Sequence, residues 1–222
     1  MKKIVLLIII IFLCGGCYYT ELNDLAIVDT LAVEKENDNY KLYISIVDTS
    51  KYKNEKNIKT KIYTSYGKTI EKAYQNFYLK LNKTIYLSSI NNLLISNLNS
   101  NEYKNLVEFF IKDKTSRNTF NVIYIKNSNI LDILKSNTNI NDLLLTNMKE
   151  FGTSSKYSLE EFYNDNLSYS FVPTIYYKNK VLIDNYSVFK DYKYIGKLTK
   201  NESIISNILN KFTLSPSLFR HC

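Results

Sequence analysis

An α+β fold, with mixed sheets flanked by helices, is predicted by three observations on the sequence. Several stretches alternate with period two, the cleanest being Leu42, Ile44 and Ile46. Others repeat every three or four residues, as do Ile70, Ala73, Tyr74, Phe77 and Leu81. Finally, 45% of the 222 residues are hydrophobic and 14% aromatic, which is enough to build a packed core. Strand and helix signals are mixed along the chain without a strict βαβ rhythm, hence α+β.

The amino end decides where everything after it works. Lys2 and Lys3 precede an unbroken apolar run over 4–13, followed by Cys14-Gly15-Gly16-Cys17. This is the pattern of a signal peptide. The run is well short of the roughly 20 residues that a spanning helix needs. Small residues directly before a cysteine form a lipobox: the thiol receives diacylglycerol and the peptidase cuts in front of it. Gly15 and Gly16 meet that requirement for Cys17, whereas bulky Phe12 and Leu13 rule out Cys14. Residues 1–16 are therefore expected to leave, with cleavage between Gly16 and Cys17 and lipidation at Cys17. The competing reading is an ordinary cleaved signal with an incidental cysteine. With both acyl chains in place, Cys17 would hold the domain stably at a membrane.

The formal charge of +8 falls to about +6 once Lys2 and Lys3 are removed. A tethered basic domain is attracted to anionic lipid or acidic wall polymers. Nucleic acid is not an expected partner: the lysines are scattered, only Arg117 and Arg220 offer a bidentate fork, and export separates the two. Cys222 is left without an internal partner, so stability must come from packing and not from a disulfide.

In chain order, Val28, Leu31 and Val33 mark a first strand, Asn37-Asp38-Asn39 a turn, and residues 40–47 a second strand that completes a hairpin. Residues 48–59 are polar and read as a loop, and 60–66 as a third strand. Gly67 ends that pattern, and a helix with one apolar face is predicted over 69–82. A short strand over 90–96 leads to a helix capped by Ser100 or Asn101, with Glu102 in its first turn. Residues 119–125 are apolar on both faces and suit a central strand, and Asn129 caps a short helix to Lys135. A first domain is thus expected over 17–135.

Residues 136–141 are polar and aperiodic, the best linker candidate, and a small second domain is expected over 136–198. Ser158 and Glu161 form a capping box for a helix to about residue 167. The strand over 171–177 must place Pro173 at an edge or a bulge, and Lys178-Asn179-Lys180 turns the chain into 181–190. Thr199 and Glu202 form a second capping box. Ile204, Ile205, Ile208, Leu209 and Phe212 stripe the helix behind it, expected to begin a truncated third unit over 199–222.

No catalytic residue, metal ligand set or cofactor site is predicted. The single histidine, His221, lies next to the end of the sequence, where little can orient it. Five glycines, two of them in the signal, cannot form a phosphate-binding loop, and no Cys/His cluster suits zinc. Glu160 and Glu161 sit in a first helical turn, where the macrodipole favours them without chemistry. Two carboxylates far apart in the chain would be the remaining route to an enzyme, a glycosidase.

Three stretches resemble the Ger(x)C family, the lipoprotein C subunits of spore-germinant receptors. They are Cys17 followed by Glu21-Leu-Asn-Asp-Leu-Ala-Ile-Val28, then Gly67-Lys-Thr-Ile-Glu-Lys-Ala73, and last Val188-Phe-Lys-Asp-Tyr-Lys-Tyr-Ile-Gly-Lys-Leu-Thr-Lys-Asn-Glu-Ser203. Where the family carries Trp-Asp after the cysteine, Tyr18-Tyr19 stands here. The resemblance implies a non-enzymatic, lipid-anchored subunit on the outer face of the spore inner membrane, working with the receptor's A and B membrane subunits. It also implies a third domain, absent from this sequence. Asn23, Asp24, Gly196, Lys197 and Thr199 are the expected partner interface; a strand entry and a helix cap would account for them equally well. The rival from another class is a surface lipoprotein that binds a small solute or a wall polymer. Convergent polar groups in a cleft between the two domains would favour it, and a flat face without a pocket would favour subunit docking.

Overall fold

The structure, a computed structural model, describes residues 24–47, 60–113, 115–165 and 169–214. The signal peptide, Cys17 and Asn23, the loop at 48–59 and the tail from 215 with His221 lie outside these residues.

β1 (Leu25–Glu36) and β2 (Asn39–Val47) form the expected hairpin. Asn37 and Asp38 turn it with φ of 46° and 62°, the mirror-image turn geometry that matches strand twist and that Asn and Asp tolerate. β3 (Thr60–Gly67) pairs antiparallel with β2. α1 (Ile70–Tyr78) follows at once, capped by Thr69, whose side chain accepts from the Lys72 N–H at 3.2 Å. It buries Ile70, Ala73 and Phe77. A short β4 (Thr84–Tyr86), not foreseen from the sequence, runs parallel to the start of β1.

β5 (Asn92–Ile95) and β6 (Asn121–Ile125) are joined by α2 (Ser100–Lys112). The cap of α2 is Asn99, ahead of the expected Ser100 or Asn101: Asn99 and Glu102 close a reciprocal capping box. α3 (Ile130–Lys135) starts from Asn129 as predicted.

The sheet crosses the boundary expected at residue 136. β8 (Thr174–Lys178) pairs parallel with β6, and β9 (Lys180–Ile183) extends the same sheet, so its order is β3-β2-β1-β5-β6-β8-β9. The polar stretch taken for a linker is a pair of helix ends. Ser136 is the C-cap of α3, and Asn139 caps α4 (Ile140–Glu150), accepting from the Asp142 N–H at 3.2 Å. Capping needs the same Ser and Asn that loops favour, which is why the two looked alike.

α5 (Leu159–Asn164) carries the Ser158–Glu161 capping box. Pro173 divides the expected single strand: β7 (Ser170–Val172) before it joins a second sheet, while β8 after it joins the first. A residue without an N–H suits such a break. β10 (Ser187–Lys190) and β11 (Lys193–Lys197) complete the small sheet in the order β11-β10-β7. α6 (Lys200–Leu214) closes the described chain.

The large sheet buries both faces. One face packs Leu31, Val33 and Leu93 under α1, α2 and α5; the other packs Ala32, Leu94 and Ile123 under α3 and α4. The small sheet is tied to the first face by Phe189, whose ring lies 5.4 Å from Tyr103, 5.6 Å from Tyr124 and 5.7 Å from Phe162. These edge-on contacts add to the burial of a large aromatic. α6 packs through polar residues: Ser203 is fully buried, and buried Asn207 accepts from the Tyr186 hydroxyl at 2.5 Å and donates to the Gly152 carbonyl at 2.5 Å. Its apolar residues Ile205, Ile208 and Leu209 face outward. Among the described residues, no helix is long and apolar enough to cross a membrane.

Candidate functional site

The expected interface residues fall at two places. Asp24 is exposed just ahead of β1. Gly196, Lys197 and Thr199 share the β11–α6 connection, at the free edge of the small sheet. Thr199 is occupied as a cap, exchanging hydrogen bonds with Glu202. Lys197 pairs with Asp184 at 3.4 Å, and Lys126 approaches the same carboxylate oxygen at 3.4 Å. A Cβ on Gly196 would meet nothing within 4 Å, so the interior does not require a glycine there. Beside it, Tyr194 and Ile195 are exposed, and the register shift opposite Val188 and Phe189 leaves Ile195 as a bulge.

The sequence reading missed a second place. Four residues, Ser45, Thr30, Asn92 and Asn121, lie opposite one another on adjacent strands β2, β1, β5 and β6. They form one polar row across the sheet, each no more than 5% exposed. Two residues along, on the same face, the next row is Tyr43, Ala32, Leu94 and Ile123, which belongs to the apolar core. Above the polar row, the end of α3 and the start of α4 leave a cavity of about 430 Å³. Asp29, Asn91, Asn137, Asn139, Asn141 and Asp142 rim it. The signal in the sequence was asparagine at the first positions of two central strands, where β-propensity argues against it.

Among the described residues, the titration shifts run away from neutrality. Burial pushes the hydroxyls of Tyr43, Tyr103 and Tyr157 up. The Glu36 carboxylate raises Lys41, and the backbone N–H of Thr199 lowers Glu202. Each of these moves a group away from the range in which general acid–base catalysis works at neutral pH. Among the described residues, no group of three or more His, Cys, Asp or Glu side chains is placed to hold a metal ion.

The fold and these surfaces define an α+β domain with a mixed central sheet, a small accessory sheet and a polar cavity. Residues 18–177 match the family model described as the spore germination protein N-terminal domain. The chain belongs to that family and its role is in spore germination. Comparison with curated proteins and with solved structures gives no match.

Proposed function

We propose that this chain is a non-enzymatic, lipid-anchored subunit of a spore germinant receptor, held through Cys17 on the outer face of the spore inner membrane beside the receptor's A and B membrane subunits. The observation that carries the reading is where the family match begins: residue 18, directly behind the lipobox cysteine. A domain whose family match starts one residue after its anchor works at the bilayer surface, at a high local concentration of membrane partners, so a weak polar interface is enough.

The edge of β11 around Gly196 and Lys197 is the docking surface in this reading, with Tyr194 and Ile195 as its apolar contacts. Asp24, seven residues behind Cys17 in the sequence, is the other interface position in this reading. Thr199 acts only through the cap that sets the direction of α6.

Metabolic labelling with palmitate tests the anchor: Cys17→Ala should lose the label and leave an unprocessed precursor. Label that persists in this variant overturns the anchor. Spores that lack the chain and still germinate normally in nutrient would overturn the receptor role.

A further inference from the structure

Burying four polar side chains in one row of a central sheet is costly unless their hydrogen bonds are made. Most of this row's neighbourhood is satisfied internally. Thr30 Oγ1 donates to Asp29 Oδ2 at 2.8 Å, and Asn91 Nδ2 donates to Asp29 Oδ1 at 2.7 Å. The Asn121 amide donates to Asn141 Oδ1. Asn139 Nδ2 donates to Asp142 Oδ2 at 2.7 Å, and Thr60 Oγ1 to Asn137 Oδ1 at 3.1 Å. The exception is Asn92. It is 4% exposed, it lines the cavity, and its Oδ1 has no hydrogen-bond partner.

The wall is therefore rich in acceptors. Each Asp29 oxygen already accepts one bond and retains a lone pair for another, and Asn92 Oδ1 is free. Two carboxylates, Asp29 and Asp142, line the cavity, and none of the described lining residues is Lys, Arg or His. On a chain whose formal charge is +8, a wall whose described residues carry two negative charges and no cation is a local reversal of sign. Among the described lining residues no side chain is aromatic, so these offer neither the stacking surface used by sugar rings nor the cage used by quaternary amines. A volume of about 430 Å³ lies within the range of small-molecule sites.

We propose that this cavity binds a small organic solute through a primary ammonium group, which donates to Asn92 Oδ1 and the Asp29 carboxylate. An ammonium has three donors and no acceptor, the complement of this wall. The charge-assisted bond to Asp29 supplies most of the affinity, and Asn92 fixes the orientation. The site goes beyond the receptor-subunit reading and is tested apart from it, on purified protein.

The test is calorimetric titration of the full chain in detergent with three probes: 1,4-diaminobutane, its mono-N-acetyl derivative and glycerol. The diamine should bind, the acetylated amine more weakly, and glycerol not at all. Asp29→Asn, which keeps the shape but removes the charge and one of the two acceptor oxygens, should weaken the diamine about tenfold. Asn92→Asp, which adds a charge where the free acceptor stands, should strengthen it severalfold. Circular dichroism of both variants checks that they fold; should Asp29→Asn not fold, the opposite shift in Asn92→Asp alone decides. Heat from glycerol alone would mean a polyol site, and no heat from any probe would mean a cavity that holds only water. Either result overturns the proposal, as does diamine binding that neither variant alters.

Discussion

At the scale of single residues, two glycines that the sequence presents alike have opposite duties. Gly67 ends β3 against the first turns of α1, where a Cβ would lie 2.3 Å from the Ala73 nitrogen and 2.7 Å from its Cα. Those are backbone atoms, so Gly67→Ala must push the helix away, at a cost of about 1–3 kcal/mol in chemical denaturation. Gly196 has open space around it, and Gly196→Ala should leave the denaturation midpoint unchanged or slightly raised, since alanine lowers the entropy of the unfolded chain. If β11 is a docking edge, the same substitution weakens co-purification with membrane partners while stability holds. Asp184 gives a third outcome. Burial, the largest single influence, pushes its carboxyl up, but the Asn185 N–H, Lys197 and Lys126 together outweigh it and hold it below the ordinary range. A depressed folded value contributes stability above the unfolded value of about 4, lost as pH falls through the folded one. Asp184→Asn should therefore lower the urea midpoint at pH 7, by less than about 1 kcal/mol for so accessible a cluster, and leave it unchanged near pH 2.

At the scale of elements, the small sheet stands or falls with Phe189. Its ring meets Tyr103, Phe162, Tyr124 and, at 5.7 Å, Tyr194, so β10 is fastened to α2, α5 and β6 by one side chain. Phe189→Ala should cost about 3–5 kcal/mol, read as a fall in the thermal midpoint; a loss under 1 kcal/mol would mean that the sheet is held elsewhere. Elements with strong periodicity or explicit caps were legible in the sequence: the β1–β2 hairpin, α1, α3 from Asn129, and the boxes opening α5 and α6. What was not legible depended on tertiary partners. β4 has three residues and exists because β1 offers an edge. The stripe of α6 suggested an inward apolar face, yet Ser203 and Asn207 face inward because Tyr186 and the Gly152 carbonyl hydrogen-bond Asn207 there. The candidate cavity was hidden for a related reason. Ser45, Thr30, Asn92 and Asn121 are far apart in the chain, and only strand register brings them into one row.

At the scale of the whole molecule, the large sheet makes one cooperative unit of segments that composition would divide. β6 sits between β5 and β8, and the core under α3 and α4 combines Ile123 and Ile133 with Ile140, Leu144, Ile175 and Val181 from beyond residue 136. A chain ending at residue 135 would keep β6 but strip its β8 edge and uncover an apolar face, a template for aggregation. The full chain should unfold in urea in a single transition, with circular dichroism at peptide wavelengths and tyrosine fluorescence superimposing. The shortened chain should be recovered insoluble, or without a cooperative transition. A soluble fragment of residues 24–135 with its own sharp midpoint would show instead that the later strands are an accessory. The distinction bears on function, because the large sheet carries the asparagine-lined cavity, while the β11 edge belongs to the small sheet that Phe189 ties to it. A solute that orders the wall of that cavity can then change the presentation of the docking edge through the contacts that join the two sheets, and a chain that unfolded in two steps would lack that connection.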